Sequence, residues 1–385
     1  MFPVAHKGVG DLESNNKTIA IVENNIVATN TIRQALTLAL LEQGYRVVVL
    51  TTGDRDGLAL ARVNGVEVID VGGSTDGFME IAAYLRNLHR ALKKLRANVI
   101  LTFTIRPAIW GNFVARLLGI PAVSNITGIG PLFERNDLAY RGARILYRFA
   151  LQKTAHVFFQ NDDDREIFIG KGFVSASKSE RIPGSGVDTE FYAPMEAATS
   201  SKFTFLFISR LLKDKGIGEF VEASMKIRSM FPDVRCLVLG PLWEQNLKDN
   251  TVTAAEVKTW VSAGYIEYLG AHADVRPYIA AADCVVLPSY REGTSNVLLE
   301  ASSMERPCIT CDTTGCREIV LHGVTGYLCR VRDANDLADK MAMMKGLDKK
   351  TLAIMGSKGR QKVEREFNKA IVVRAYLNAV EEILS

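Results

Sequence analysis

The chain reads as an α/β protein made of two successive doubly wound parallel sheets. Short β-branched runs alternate with helices of apolar spacing, and the alternation restarts after the turn-rich segment Ile182-Pro183-Gly184-Ser185-Gly186-Val187-Asp188. At 385 residues, 48% hydrophobic and 23% charged, the chain is also too long for one comfortable core and suits two domains of ordinary size.

The elements follow in order. Residues 1–16 are a polar N-terminal tail without the apolar stretch of a signal peptide. A first domain, 17–185, is expected to carry strands at Thr18–Val22, 46–50, 66–71, Val99–Phe103 and 157–159. Between them Ile32, Ala35, Leu36, Ala39 and Leu40 recur at helical spacing and stop at Gly44; Ile81, Leu85, Leu88, Leu92 and Leu95 do the same. Residues 186–201 are expected as a hinge, polar from 190 onward. A second domain, 202–368, brings strands at Phe203–Ile208, 236–239, 266–269, 285–287 and 308–310, and a last helix fills 369–385.

Several chemistries are excluded at this level. No stretch reaches the eighteen or so apolar residues of a membrane span. Six cysteines in so long a chain imply no disulfide framework, so a reducing cytosol is the default. Cys308-x-x-Cys311 does not repeat a zinc-ligand spacing, and Cys308 belongs to an apolar strand. The segment after the first strand, Glu23 to Thr31, has no glycine, which argues against a nicotinamide or flavin dinucleotide site. Asp162-Asp163-Asp164 follows Asn161 and opens a helix, so a capped acidic first turn accounts for it. No histidines pair at ligand spacing. No metal and no resident cofactor are expected.

The most informative feature is a pair of carboxylates eight residues apart, in Ser289-Tyr290-Arg291-Glu292-Gly293-Thr294-Ser295-Asn296-Val297-Leu298-Leu299-Glu300. They straddle a helix start. Pro288 closes an apolar strand, Gly293 permits a sharp turn, Thr294 or Ser295 can cap the helix, and Val297, Leu298 and Leu299 begin its buried side. The amides at that end suit an anion. Glu300 lies roughly 7 Å further along, at about 1.5 Å per residue, which is about the span from a diphosphate to a ribose. A carboxylate there can accept from both ribose hydroxyls. Arg210 and Lys215 stand just beyond the first strand of the second domain, at the carboxyl end where open α/β sheets bind ligands. They would offer a leaving diphosphate a planar fork and a compact charge.

The carboxylate run resembles the E-x(7)-E signature of retaining GT-B glycosyltransferases of family 4. Ser209-Arg210-Leu211 with Lys213-Asp214-Lys215-Gly216 resembles that family's donor-phosphate segment, and Leu239-Gly240-Pro241 the end of its next strand. Leu269-Gly270, the 277–283 segment, Gly315-Cys316-Arg317-Glu318-Ile319-Val320 and Gly326-Tyr327-Leu328 continue in the family's order. The resemblance implies two Rossmann-like domains facing across a cleft, with the last helix packing back on the first. Asp188 and Phe191 would seat the start of the second domain. Catalysis would rest on Arg210, Lys215 and Glu292. The nucleotide sugar would be held by Gly240, Pro241, Gly293, Thr294, Ser295, Asn296, Val297 and Glu300. It further implies retention by front-face attack, in which the departing phosphate helps deprotonate the acceptor.

In the first domain the chain departs from the broad family. Where many members carry a glycine pair after the first strand it has Asn24-Asn25, and in place of a histidine before a glycine it has Thr127-Gly128 within Asn125-Ile126-Thr127-Gly128-Ile129-Gly130. This variant resembles the subgroup that builds capsule, O-antigen and glycoprotein glycans on undecaprenyl diphosphate. Asn24, Thr104, Arg106, Thr127 and Gly128 are the expected acceptor-side residues.

Charge adds a clue to the acceptor. Between Tyr84 and Gln160 there are twelve basic residues against two acidic ones, Glu134 and Asp137, while the chain's net charge is only +4. Arg141, Arg144 and Arg148 share one helix face, a surface for anionic headgroups or a lipid diphosphate. No nucleic-acid-binding module accompanies the charge. The expectation is a cytoplasmic, metal-independent enzyme, peripheral on the inner membrane face. It would move a sugar from a UDP-sugar, with UDP-N-acetylhexosamine among the candidates, to a lipid-linked saccharide. A nucleotide-sugar 2-epimerase of the same fold and a non-catalytic nucleotide-sugar-binding scaffold are the alternatives.

Overall fold

Thr18–Val22 (β1) is buried at every residue, the mark of a strand covered on both faces, and it pairs in parallel with Arg46–Thr51 (β2) and Val99–Phe103 (β4). The computed structural model describes residues 17–24, 26–52, 66–72, 77–129, 132–133, 138–196, 202–243 and 250–385. The expected tail 1–16, Asn25, Gly130, Glu134, Arg135, Asp137 and the linker residues 197–201 lie outside them.

The first sheet adds Glu67–Asp70 (β3), Ala122–Ile126 (β5), His156–Phe159 (β6) and Ser179–Arg181 (β7), in the order β3-β2-β1-β4-β5-β6-β7. Every pairing is parallel, so helices must cover both faces. The helices Phe78–Leu95 and Ile105–Leu118 bury Leu88, Leu92, Val114 and Ala115 against one apolar cluster. Leu138–Leu151 and Asp162–Gly170 bury Tyr147, Leu151 and Phe168 in another. Asn161 caps the latter helix, accepting from the Asp164 amide at 2.8 Å.

The second sheet holds Phe203–Ile208 (β8), Val234–Leu239 (β9), Glu267–Tyr268 (β10), Cys284–Leu287 (β11), Cys308–Cys311 (β12) and Gly326–Cys329 (β13), ordered β10-β9-β8-β11-β12-β13 and again all parallel. Its core is one continuous cluster.

Two expectations shift. The helix expected from Ile32 onward starts at Gln34 and runs to Glu42; a separate short helix, Ile26–Asn30, and a turn at 31–33 precede it, and Ile32 is exposed. Arg33, in that turn, is buried, pairs with the buried Glu23 at 2.9 Å and covers the Phe103 ring. Secondly, the chain divides after Ile182, not at 185, and the expected hinge belongs to the second unit, Pro183–Val372. Val187 donates to Phe367 O and accepts from the Lys369 amide, and Asp188 binds Lys369 Nζ at 3.1 Å, so this stretch is anchored to the second unit. The last helix, Lys369–Leu384, packs back as the resemblance implied: Val373–Ser385 belongs to the first unit. Tyr376 there packs on Phe103 and Phe158 and accepts from Asn125 Nδ2 at 2.7 Å.

Candidate active site

In the second unit strand order reverses between β8 and β11, the switch point at which open α/β sheets bind ligands. Two loops leave it. After β8 the chain runs through Ser209-Arg210-Leu211 into a 3-10 turn, Lys213–Lys215, closed by Gly216 with φ +76°. A Cβ on Gly216 would meet Pro288 O at 2.1 Å, so only glycine lets this turn lie on the end of β11. The Tyr290 amide then donates to Asp214 O. The result is an ion pair across the switch point: Lys215 Nζ to Glu292 Oε1, 2.7 Å, each side chain 16% exposed.

The loop carrying Glu292 is backed by 313–315. The Glu292 amide donates to Thr314 O, the Ser295 amide to Gly315 O and Thr313 Oγ1 to Tyr290 O. Gly315, at φ +79°, lies so close that a Cβ would reach Glu292 O at 2.5 Å, and its amide donates to Glu318 Oε2. Gly293 and Thr294 complete the loop, and Thr294 packs against Gly184. Ser295 is the N-cap of the helix Asn296–Ser303, its hydroxyl accepting from the Leu298 amide. The Asn296 and Val297 amides are left at the open end of the first turn.

Glu300 lies one turn on. Burial pushes its carboxyl up to about 7, against a hydrogen bond from the Tyr192 side chain that favours the charged form. Tyr192 is itself held to this helix, because Ser303 Oγ donates to its carbonyl at 2.8 Å. Sequence reasoning missed Tyr192; its signal was the aromatic doublet Phe191-Tyr192 after Asp188.

Arg210 takes no part in the ion pair. Its side chain is exposed and its guanidinium covers the Trp243 ring, 4.9 Å from the centroid. Gly240 and Pro241 run beside it: the Leu211 amide donates to Pro241 O, and a Cβ on Gly240, at φ +146°, would fall 1.8 Å from Ser209 O. Tyr268 OH fixes the Gly240 carbonyl at 2.9 Å.

In the first unit the order reverses between β1 and β4, and again the residues beyond the two strand ends meet. Asn24 Nδ2 donates to Thr104 Oγ1 at 3.2 Å. Thr104 has φ 70° and ψ 171°, a region costing a β-branched residue on the order of 1–3 kcal/mol, and its amide is held by Asn125 O. Strain of that size gathers where backbone serves a site. Thr127 and Gly128 follow β5, half-buried, and Arg106 is exposed on the helix after Thr104. Glu23, ion-paired with Arg33 and accepting from Thr29 Oγ1, has its carboxyl raised to about 7 by burial.

On the helix Leu138–Leu151, Arg141 and Arg148 are exposed, whereas Arg144 is half-buried and donates to Leu132 O at 2.8 Å. Among the described residues, no group of three or more His, Cys, Asp or Glu is placed to hold a metal ion, and no helix is long and apolar enough to cross a membrane.

The class at hand is thus a pair of doubly wound units, the second with a cation–carboxylate pair and a capped helix at its switch point. Sequence comparison makes this specific. The family described as glycosyl transferase 4-like domain matches residues 29–184, and that described as glycosyl transferases group 1 matches 202–345. The chain belongs to these glycosyltransferases. It is 29% identical over 301 residues to the UDP-Gal:α-D-GlcNAc-diphosphoundecaprenol α-1,3-galactosyltransferase of Escherichia coli, covering 74% of this chain and 75% of that one. It is 24% identical over 324 residues to the N,N'-diacetylbacillosaminyl-diphospho-undecaprenol α-1,3-N-acetylgalactosaminyltransferase of Campylobacter jejuni, covering 80% and 81%. In fold it matches a glycosyltransferase from Rickettsia africae with a TM-score of 0.80 at 16% identity, over 96% of this chain and 99% of that one. Anabaena HepE in complex with UDP-glucose matches with a TM-score of 0.79 at 17% identity, over 95% and 99%. The fold is GT-B.

Proposed function

We propose that this glycosyltransferase moves a sugar from a UDP-sugar to a saccharide carried on a lipid diphosphate, in the synthesis of a bacterial surface polysaccharide or glycan, with retention of anomeric configuration and without a divalent metal. The observation that carries the reading is the Lys215–Glu292 pair at the second switch point, with the first turn at Asn296 and Glu300 beyond it. The uridine donor and lipid-linked acceptor rest on the activities named for the E. coli and C. jejuni relatives.

The chemistry follows from charge. As the sugar–phosphate bond breaks, negative charge gathers on the departing diphosphate and positive charge on the anomeric carbon. Arg210, Lys215 and the Asn296 and Val297 amides meet the negative charge, the term that usually weighs most. Glu292 holds Lys215 in place before the donor arrives and faces the sugar once it does. Glu300 accepts from the ribose hydroxyls. A phosphate oxygen, still on the face it left, takes the proton of the acceptor hydroxyl, so the new bond forms where the old one broke. These cations already balance the diphosphate, and Asp162 to Asp164 are occupied as a capped first turn. Asn24, Thr104, Arg106, Thr127 and Gly128 serve the acceptor, and the enzyme works at the cytoplasmic membrane surface.

A panel of nucleotide sugars screened by thermal shift identifies the donor, since a selective ligand raises stability by mass action. Proton NMR of the product of the selected donor and a diphospholipid-linked sugar then reads the anomer. An inverted product refutes the mechanism. Epimerised nucleotide sugar without acceptor, or binding without turnover, would instead favour the epimerase or the scaffold.

A further inference from the structure

An ordinary surface helix is apolar on its inner stripe and polar outside. Leu138–Leu151 is apolar on both. Its inner side buries Tyr147, Ala150 and Leu151. Its outer side presents Leu138, 84% exposed, and Ile145, 70% exposed, with Leu146 and Phe149 also exposed. Positions 138, 142, 145 and 149 follow helical spacing, and Gly142 leaves the stripe between the two most exposed side chains open. Arg116, from the helix Ile105–Leu118, bridges the two helices by covering the Phe149 ring and donating to its carbonyl, and its neighbour Leu117 is 65% exposed. Contiguous apolar surface of this kind on a soluble unit marks an interaction face.

Charge selects the partner. The Leu138–Leu151 helix has no acidic residue, and exposed Arg116, Arg141, Arg148 and Lys153 rim the apolar stripe. A cationic rim around an apolar stripe matches the boundary between anionic headgroups and acyl chains. We infer that this helix lies in the plane of an anionic bilayer, with Leu138, Ile145, Leu146 and Phe149 entering the acyl boundary and Arg141 and Arg148 on headgroup phosphates. Arg144 has a different task, bracing Leu132. The inference deepens the peripheral-membrane part of the proposed function. Attachment is then mainly apolar and survives salt, where attachment through arginines alone would fade with the screening length.

The test uses the full chain and vesicles of neutral phosphatidylcholine or with about 30% phosphatidylglycerol, at low and high salt. Leu138→Ser/Ile145→Ser should reduce cosedimentation with anionic vesicles on the order of tenfold at both salt concentrations, with the melting temperature unchanged. Arg141→Gln/Arg148→Gln should reduce it at low salt only. All six native cysteines are buried, so Ile145→Cys can be labelled selectively with an environment-sensitive fluorophore, whose emission should shift to the blue on anionic vesicles. Undiminished binding of the Ser variant, or no emission shift, overturns the inference. So does wild-type dimerisation without vesicles that the Ser variant abolishes, which would make the face a contact between copies of this chain. Turnover on a short soluble acceptor should be unchanged in the Ser variant. Wild type that binds vesicles but never glycosylates a lipid-linked acceptor would defeat the proposed function and leave this inference standing.

Discussion

Replacing Lys215 by Met removes the ammonium 2.7 Å from Glu292 while keeping much of the stem's packing. Two effects should separate. Loss of one preorganised charge donor to the diphosphate costs about a hundredfold in kcat, or about 2.7 kcal/mol. The Glu292 carboxylate, 16% exposed, is meanwhile left unpaired. Its cost should fall between that of an exposed pair and a buried one, about 1–2 kcal/mol, or roughly 3–6 °C in Tm for a unit of this size. Adding Glu292→Gln removes the orphaned charge, so Lys215→Met/Glu292→Gln should regain most of the stability and none of the turnover. Single-turnover assays at saturating donor, with calorimetry on the same preparations, measure both. Recovery of turnover together with stability would make Lys215 a structural cation, as would a Lys215→Met enzyme within threefold of wild type.

Other outcomes are expected. Arg210→Ala should also lower turnover by about a hundredfold, with little change in Tm because the side chain is exposed over Trp243. Glu300→Gln should raise the donor KM with a smaller effect on kcat. Because the Glu300 carboxyl is lifted to about 7 from an ordinary 4.5, and ribose hydroxyls favour its charged form, wild-type donor KM should rise as pH falls below about 7 and that of Glu300→Gln should stay flat. The folded state holds this proton more tightly than the unfolded, so the group's contribution to stability is present below pH 4.5 and lost as pH rises to about 7. The Tm of Glu300→Gln should therefore gain on wild type across that window; a constant difference would refute the assignment. Rigorous EDTA treatment should leave turnover intact. Its abolition, with recovery on adding a divalent ion, would reopen Asp162 to Asp164 as a site.

The local frame of the candidate site was legible in the sequence because it lies within short segments. Glu292, Gly293, Ser295 and Glu300 lie within one loop and two helical turns, and Arg210 and Lys215 within one loop, so turn residues, a cap and helical rise sufficed to suggest a diphosphate and a ribose. The alternation of strands and helices likewise required two doubly wound sheets, since neither element can bury its apolar face alone. What spacing could not supply is which distant elements become neighbours. That Lys215 meets Glu292 depends on β8 lying beside β11, and that Asn24 meets Thr104 depends on β1 lying beside β4; sheet order is decided by packing of the whole unit. Tyr192 reaches Glu300 only because the expected hinge is folded onto the second unit. The spacing that began at Ile32 did not show that the helix starts at Gln34, with Arg33 before it paired to the buried Glu23 from another segment. On Leu138–Leu151, periodicity shows two apolar faces and three arginines alike, but a period does not say which face is covered. Tertiary packing buried Tyr147, engaged Arg144 with Leu132 and left Leu138 and Ile145 exposed.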